Sequence, residues 1–277
     1  MSDSEAMRRE SNGDSADSRA PLNANSAPEP LIFSNIRRRR SSRVMYLPGI
    51  GGHPGLSPAM LRIVAAGYEV IVPELPGFAG RSGFQPPDDY LAWLVATWDA
   101  VDAALGADRS SCHIIGASAG GMLAADLAVF RPELVRSLSL IAPFGIFDES
   151  CPGIDLYAQS SAHRLGHLFA QGVPAGFAAR FDDRGPDEAP VARYLTEVAM
   201  ASLLWPLGDR RLTNRIHRLR VPRLTLWGEL DELLPLALAD RWSSSPVVIF
   251  GAGHLAEWDA PNQVAAAVVP FLDTHDQ

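Results

Sequence analysis

Short, nearly unbroken apolar runs closed by glycine, proline or an acid recur along the chain at 43–47, 68–73, 113–117, 135–142, 223–228 and 246–250. Runs this short, rich in Val, Ile and Leu and lacking a polar face, predict strands buried on both sides. Helical spacing separates them. Leu91, Leu94, Val95, Trp98, Val101 and Leu105 fall on one face after the start signal Pro86-Pro87-Asp88-Asp89, and helices are expected over 57–66 and from Met122 to Phe130. Trp93 and Trp98 read as packing residues. Strand and helix alternate three times before Pro143, which predicts an α/β chain with a mostly parallel central sheet and helices on both faces. Residues 31–36 add a possible edge strand.

The rhythm stops at Pro143. Residues 144–219 contain no strand-like run but carry helical patterns over 157–171 and 192–204, broken by proline and glycine. They read as an inserted helical cap, with Trp205-Pro206 and a helix over 210–220 leading back to the core. The predicted organisation is a disordered tail (1–28), a first part of the core (29–143), the cap (144–219) and a second part of the core (220–277).

Composition narrows the class. The chain has 277 residues, 47% of them hydrophobic, enough for one large α/β domain with an insertion. All 24 basic residues are arginine, and 32 acidic residues bring the net charge to −8, which argues against a general nucleic-acid role. Residues 1–28 are polar and lack the apolar stretch of a secretory signal. The run Arg37-Arg38-Arg39-Arg40 precedes a core strand rather than a signal-like segment and reads as a solvated turn. Two cysteines, Cys112 and Cys151, form no disulfide framework. A cytoplasmic protein without a membrane partner is expected, with oligomeric state open.

The chemistry is concentrated where the third core strand ends, at Gly116-Ala117-Ser118-Ala119-Gly120-Gly121. A serine on a sharp strand-to-helix turn needs small residues two before and two after it, and Gly116 and Gly120 meet that demand. The first strand opens into Pro48-Gly49-Ile50-Gly51-Gly52-His53, a loop whose amides can approach a ligand. By position, Ile50 N–H would join Ala119 N–H in an oxyanion hole. After the strand 223–228 come Glu229, Asp231 and Glu232; Asp231 is the preferred orienting acid, the two glutamates are competitors, and any of the three could instead cap a helix starting near Pro235. The final strand ends in Gly251-Ala252-Gly253-His254, and His254 is the expected general base. His163 and His167 lie four apart, but no third ligand is evident, so neither a metal nor a cofactor is expected. Candidate substrate contacts are His53, Phe144, Trp205 and Leu255.

From about Arg43 to Leu272 the sequence resembles serine α/β-hydrolases of the capped esterase and C–C-bond-hydrolase branch. The resemblance rests on Leu47-Pro48-Gly49-Ile50-Gly51-Gly52, the segment around Ser118, Leu226-Trp227-Gly228-Glu229-Leu230-Asp231 with Pro235, and Gly251-Ala252-Gly253-His254 with Asp259-Ala260-Pro261. It implies the α/β-hydrolase fold and a Ser118, Asp231, His254 triad acting through an acyl-enzyme on a small-molecule ester or related acyl bond. Ring-cleavage C–C hydrolases tend to carry Trp after the catalytic histidine, where this chain has Leu255. Lyase, perhydrolase and non-catalytic binding roles are the alternatives on the same fold.

Overall fold

The computed structural model describes residues 30–35, 42–50, 55–76, 87–107, 109–207 and 209–276. The N-terminal tail, the four-arginine run and His53 lie outside these residues. Seven strands form one sheet: β1 (Leu31–Phe33), β2 (Arg43–Leu47), β3 (Glu69–Val72), β4 (Cys112–Ala117), β5 (Val135–Ile141), β6 (Arg223–Gly228) and β7 (Val247–Ile249). Their spatial order is β1-β3-β2-β4-β5-β6-β7. β1 pairs antiparallel with β3 at the edge, and all other pairs are parallel.

The two-residue period of a strand sorts the sheet's side chains onto two faces. Val44 and Tyr46 of β2 join one core with Val70, Ile115, Leu226 and Ile249, beneath α1 (Pro58–Ala65) and α9 (Pro261–Thr274). Met45 and Leu47 join the other core with Ile71, Ile114, Leu140 and Trp227, beneath α2 (Tyr90–Leu105) and α3 (Ser118–Phe130). Asp89 caps α2, its side chain accepting from Ala92 N–H, as the sequence signal requires. Trp93 is fully buried and donates to the Pro76 carbonyl, and Trp98 packs on Phe130, so both are packing residues.

Between β5 and β6 the chain makes helices and turns: α4 (Ser161–Arg164), α5 (Ala175–Ala178) and the long α6 (Gly185–Leu204), with single 3₁₀ turns among them. Two expectations are corrected here. The helical pattern over 157–171 is split into a 3₁₀ turn, a four-residue helix and a second 3₁₀ turn, and the helix expected over 210–220 is two 3₁₀ turns, Leu212–Asn214 and Ile216–Arg218. Arg211, at a left-handed φ of 57°, sets off the first of these turns, and Arg215, at φ −134°, separates it from the second. After β6 the chain forms a 3₁₀ turn and the short α7 (Ala239–Trp242), then β7, α8 (Ala256–Asp259) and α9.

The return segment is anchored by charge. Asp126 of α3 is fully buried, receives the Tyr90 hydroxyl from α2 and is gripped by both sides of the Arg215 guanidinium, one arm at 2.7 Å. Removing Arg215 strands the fully buried Asp126 carboxylate in a dry site with only the Tyr90 hydroxyl. Arg215→Ala is expected to destabilise the protein by about 3–5 kcal/mol. Urea unfolding monitored by circular dichroism would measure it, and a loss below 1 kcal/mol would deny the pair this role.

Candidate active site

Parallel pairing brings the chemistry to one edge. Leu47 pairs with Gly116, Ala117 with Ile141, Ile141 with Leu226 and Gly228 with Ile249, so the strands end nearly level. The loops after β2, β4, β6 and β7 therefore emerge together at the carboxyl edge, where open α/β sheets bind ligands.

Ser118 is the first residue of α3 and has φ 52°, a left-handed conformation that costs a non-glycine residue of order 1–3 kcal/mol. Its neighbours make the turn feasible. A Cβ at Gly116 would lie 2.7 Å from the Gly120 carbonyl, and one at Gly120 only 2.2 Å from the Leu47 carbonyl. The small residues thus serve close approach of α3 to β4 and β2, holding the strained serine at the top of the sheet.

Ser118, Asp231 and His254, predicted from three separate strand ends, meet in a continuous hydrogen-bonded chain. Ser118 Oγ lies 2.7 Å from His254 Nε2, and His254 Nδ1 lies 2.8 Å from Asp231 Oδ2. The other oxygen of Asp231 accepts from the amides of Leu233 and Leu234 at 3.0 and 2.8 Å. Those amides fix the carboxylate's rotation, and its charge holds the imidazole with Nδ1–H toward it, leaving Nε2 to accept from the serine. The competing glutamates are engaged elsewhere: Glu229 accepts from Gly251 N–H, and Glu232 pairs with His167 at 2.6 Å.

The loop after β2 passes directly over the serine. A side chain at Gly49 would come within 3.0 Å of Ser118 Cβ and 3.2 Å of Leu255 Cδ2, and Ile50 beside it is buried. Phe144 is buried and donates its amide to the Ser118 carbonyl at 3.0 Å. Phe144 also lines a cavity of about 230 Å³ together with Phe147, Trp205, Leu207, Leu233 and Leu234. The cavity wall is thus bonded through its backbone to both the serine and the acid. Leu255, the last candidate contact, is buried against Gly49, with its amide on the Leu168 carbonyl.

His163 and His167 do not share a helix. His163 of α4 contacts Ser160 Oγ, whereas His167 lies in the following 3₁₀ turn and faces Glu232. Among the described residues no group of three or more His, Cys, Asp or Glu could hold a metal ion. Among them, too, no helix is long and apolar enough to cross a membrane. Cys112 is buried, and burial pushes its thiol up to about 11.

Sequence reasoning did not find the amides of Leu233 and Leu234 or the His167–Glu232 pair, and it gave no role to Asp259, whose Oδ2 accepts from Gly253 and Ala170 N–H at 2.8 Å each. The last two depend on contacts across the fold that no local pattern carries.

A left-handed serine at a strand-to-helix turn, bonded to a histidine and an acid from later strands of a doubly covered sheet, is the arrangement of α/β-fold serine hydrolases. A model of the alpha/beta hydrolase family matches residues 44–267. The chain belongs to that family and is a hydrolase. It is 30% identical to a pimeloyl-(acyl-carrier protein) methyl ester esterase of Aeromonas hydrophila over 247 residues, covering 83% of this chain and 94% of that protein. It is 26% identical to a 2-hydroxy-6-oxo-6-phenylhexa-2,4-dienoate hydrolase of Burkholderia cepacia, over 81% and 84% of the two chains. The solved structure of a serine hydrolase involved in carbazole degradation shares the fold, with a TM-score of 0.70 at 20% identity over 88% of this chain and 95% of that one.

Proposed function

We propose that the protein is a serine hydrolase that cleaves a carboxylic ester, or a related acyl bond, of a small and largely apolar substrate. The observation that carries this is the unbroken chain from Ser118 Oγ through His254 to Asp231 at 2.7 and 2.8 Å. In this mechanism Nε2 takes the serine proton as Oγ attacks the carbonyl, and Asp231 stabilises the imidazolium that forms. The developing oxyanion is held by Ile50 and Ala119 N–H; Gly49 passing over Ser118 supports that placement. The imidazolium then protonates the departing alcohol. Water, deprotonated by the same nitrogen, releases the acid and restores the serine.

Residues 144–219 act as a cap in this mechanism, and the cavity beneath Phe144 and Trp205 receives the apolar part of the substrate. Its apolar lining and its backbone bonds to Ser118 and Asp231 support this. The ester is preferred to the vinylogous diketone of C–C hydrolases because the methyl ester esterase relatives stand at 29–30% identity, against 26% for the dienoate hydrolases. A reducing cytoplasmic setting is proposed from the free thiols of Cys112 and Cys151.

The test is labelling of the intact chain with a fluorophosphonate. One adduct per chain, mapping to Ser118, is expected; a folded protein that takes none, and turns over no small ester, would overturn the assignment. The cavity makes a separate claim. Leu207→Trp should fill part of it, lowering kcat/KM for hexanoate esters about tenfold while sparing acetate esters, since each methylene in an apolar pocket is worth about 1 kcal/mol or more. An equal loss on both chain lengths would remove the cavity from the substrate path.

A further inference from the structure

α6 is apolar on both of its sides. Ala192, Thr196, Ala199, Met200 and Leu203 are buried, on the side where the helix packs. The opposite side repeats the pattern where a surface helix ordinarily carries charge: Val191, Tyr194, Leu195 and Val198 follow one another at helical spacing and stand 41–67% exposed. Trp205, two turns beyond Val198 at the C-cap, is 57% exposed. Arg193 and Glu197, the charged residues in the middle of the helix, lie off this stripe and are paired with Asp182 at 2.6 Å and Arg164 at 3.1 Å.

The stripe ends at the rim of the cavity described above. Trp205 and Phe147, both exposed, also line that cavity, so a body covering α6 as far as Trp205 reaches its entrance. Three occupants differ in what they bring. Residues 1–28 carry few apolar side chains larger than alanine and do not match the stripe. A second copy is short of area: the five exposed side chains offer on the order of 500 Å², whereas each partner in a stable interface gives about 800 Å². A lipid surface has no such threshold, accommodates Tyr and Trp at the headgroup level and holds apolar esters beside the entrance. Charge selects its kind. Asp187 and Glu188 are exposed at the start of α6 and the chain carries a net charge of −8, which suits a zwitterionic surface and is repelled by an anionic one.

We propose that the exposed face of α6 from Val191 to Val198, continued by Trp205, docks the protein on a zwitterionic lipid surface and sets the cavity mouth against the phase that holds its substrate. The helix lies in the plane of the surface rather than across it, and among the described residues no helix is long and apolar enough to span a membrane. Delivery of a lipid-soluble ester rests on the reading of the cavity as the substrate's site; the docking itself does not. The proposal departs from the sequence expectation of no membrane partner, because which side of α6 is left exposed is decided only by how the helix packs.

Flotation of the full chain with phosphatidylcholine vesicles tests it, comparing wild type with the double variant Tyr194→Glu, Leu195→Glu. Wild type should float with the vesicles, and the partition coefficient of the double variant should fall about tenfold or more. A control pair, Leu91→Glu with Val95→Glu, places the same charge on exposed apolar positions of α2 and should float like wild type. All three proteins should hydrolyse a water-soluble acetate ester equally, whereas the double variant should lose activity on an ester dissolved in the vesicles. Wild type that does not float would overturn the proposal, as would flotation retained by the double variant, or self-association of wild type that the double variant abolishes. Vesicle binding by a chain that takes no fluorophosphonate adduct would instead sink the hydrolase reading and leave the docking standing.

Discussion

Ser118→Ala is expected to fold normally and to lose roughly five to six orders of magnitude in kcat, leaving the residual rate that binding and an oxyanion hole supply alone. Folding should survive because the side chain removed is a single hydroxyl whose bond at 2.7 Å goes to His254, not to the core. Alanine tolerates the left-handed φ of 52° no worse than serine does. The loss should fall on kcat rather than KM, since the hydroxyl forms its new bond only as the carbonyl is attacked. Ester hydrolysis measured with the purified variant, against a mock preparation to exclude contaminating esterase, gives the answer. A rate within tenfold of wild type would remove Ser118 from the chemistry.

Asp231→Asn should cost about four orders of magnitude in kcat, for a reason specific to how this acid is held. One carboxylate oxygen accepts from Leu233 and Leu234 N–H, so the amide of an asparagine must turn its oxygen that way to satisfy those donors. Its NH₂ then faces His254 Nδ1, which can only accept. The imidazole is forced to carry its proton on Nε2, aimed at Ser118 Oγ, where it cannot take another. The nitrogen-15 shifts of the histidine should report the exchanged tautomer at high pH. Loss of activity with the wild-type tautomer retained would assign Asp231 a purely electrostatic role.

The core was legible because its strands are buried on both faces and therefore appear as bare apolar runs. Every one of the predicted runs from 43–47 to 246–250 matches an observed strand to within one residue at either end, and Leu31–Phe33 lies in the expected edge segment. The meeting of Ser118, Asp231 and His254 was legible through chain order and through the small residues a sharp turn demands. The segment between β5 and β6 was read less well. There helices are short and stop where tertiary partners take over, as at Arg215, which leaves the helical region at φ −134° with its guanidinium on Asp126. The burial of Glu257 was hidden for a related reason: α8 has four residues, too few for spacing to tell which of Glu257 and Asp259 is buried. Only the packing of β2 and α1 beneath it decides that.

The segment between β5 and β6 is stitched to the histidine loop by backbone. Leu255 N–H reaches the Leu168 carbonyl, and Asp259 receives the amides of Gly253 and Ala170 together. A Cβ at Gly253 would lie 2.8 Å from the Ala170 nitrogen, so the two strands of chain lie in contact. Such a seam limits how freely one module can be exchanged for another. A chimera that grafts a different insertion onto this scaffold would have to preserve a carbonyl and an amide at the places of Leu168 and Ala170, whatever side chains it brings. Variation within the insertion would then fall outside the seam, as at Phe144, Phe147, Trp205 and Leu207 along the cavity, while the stitched stretch from 165 to 170 is inherited with the histidine loop it is bonded to.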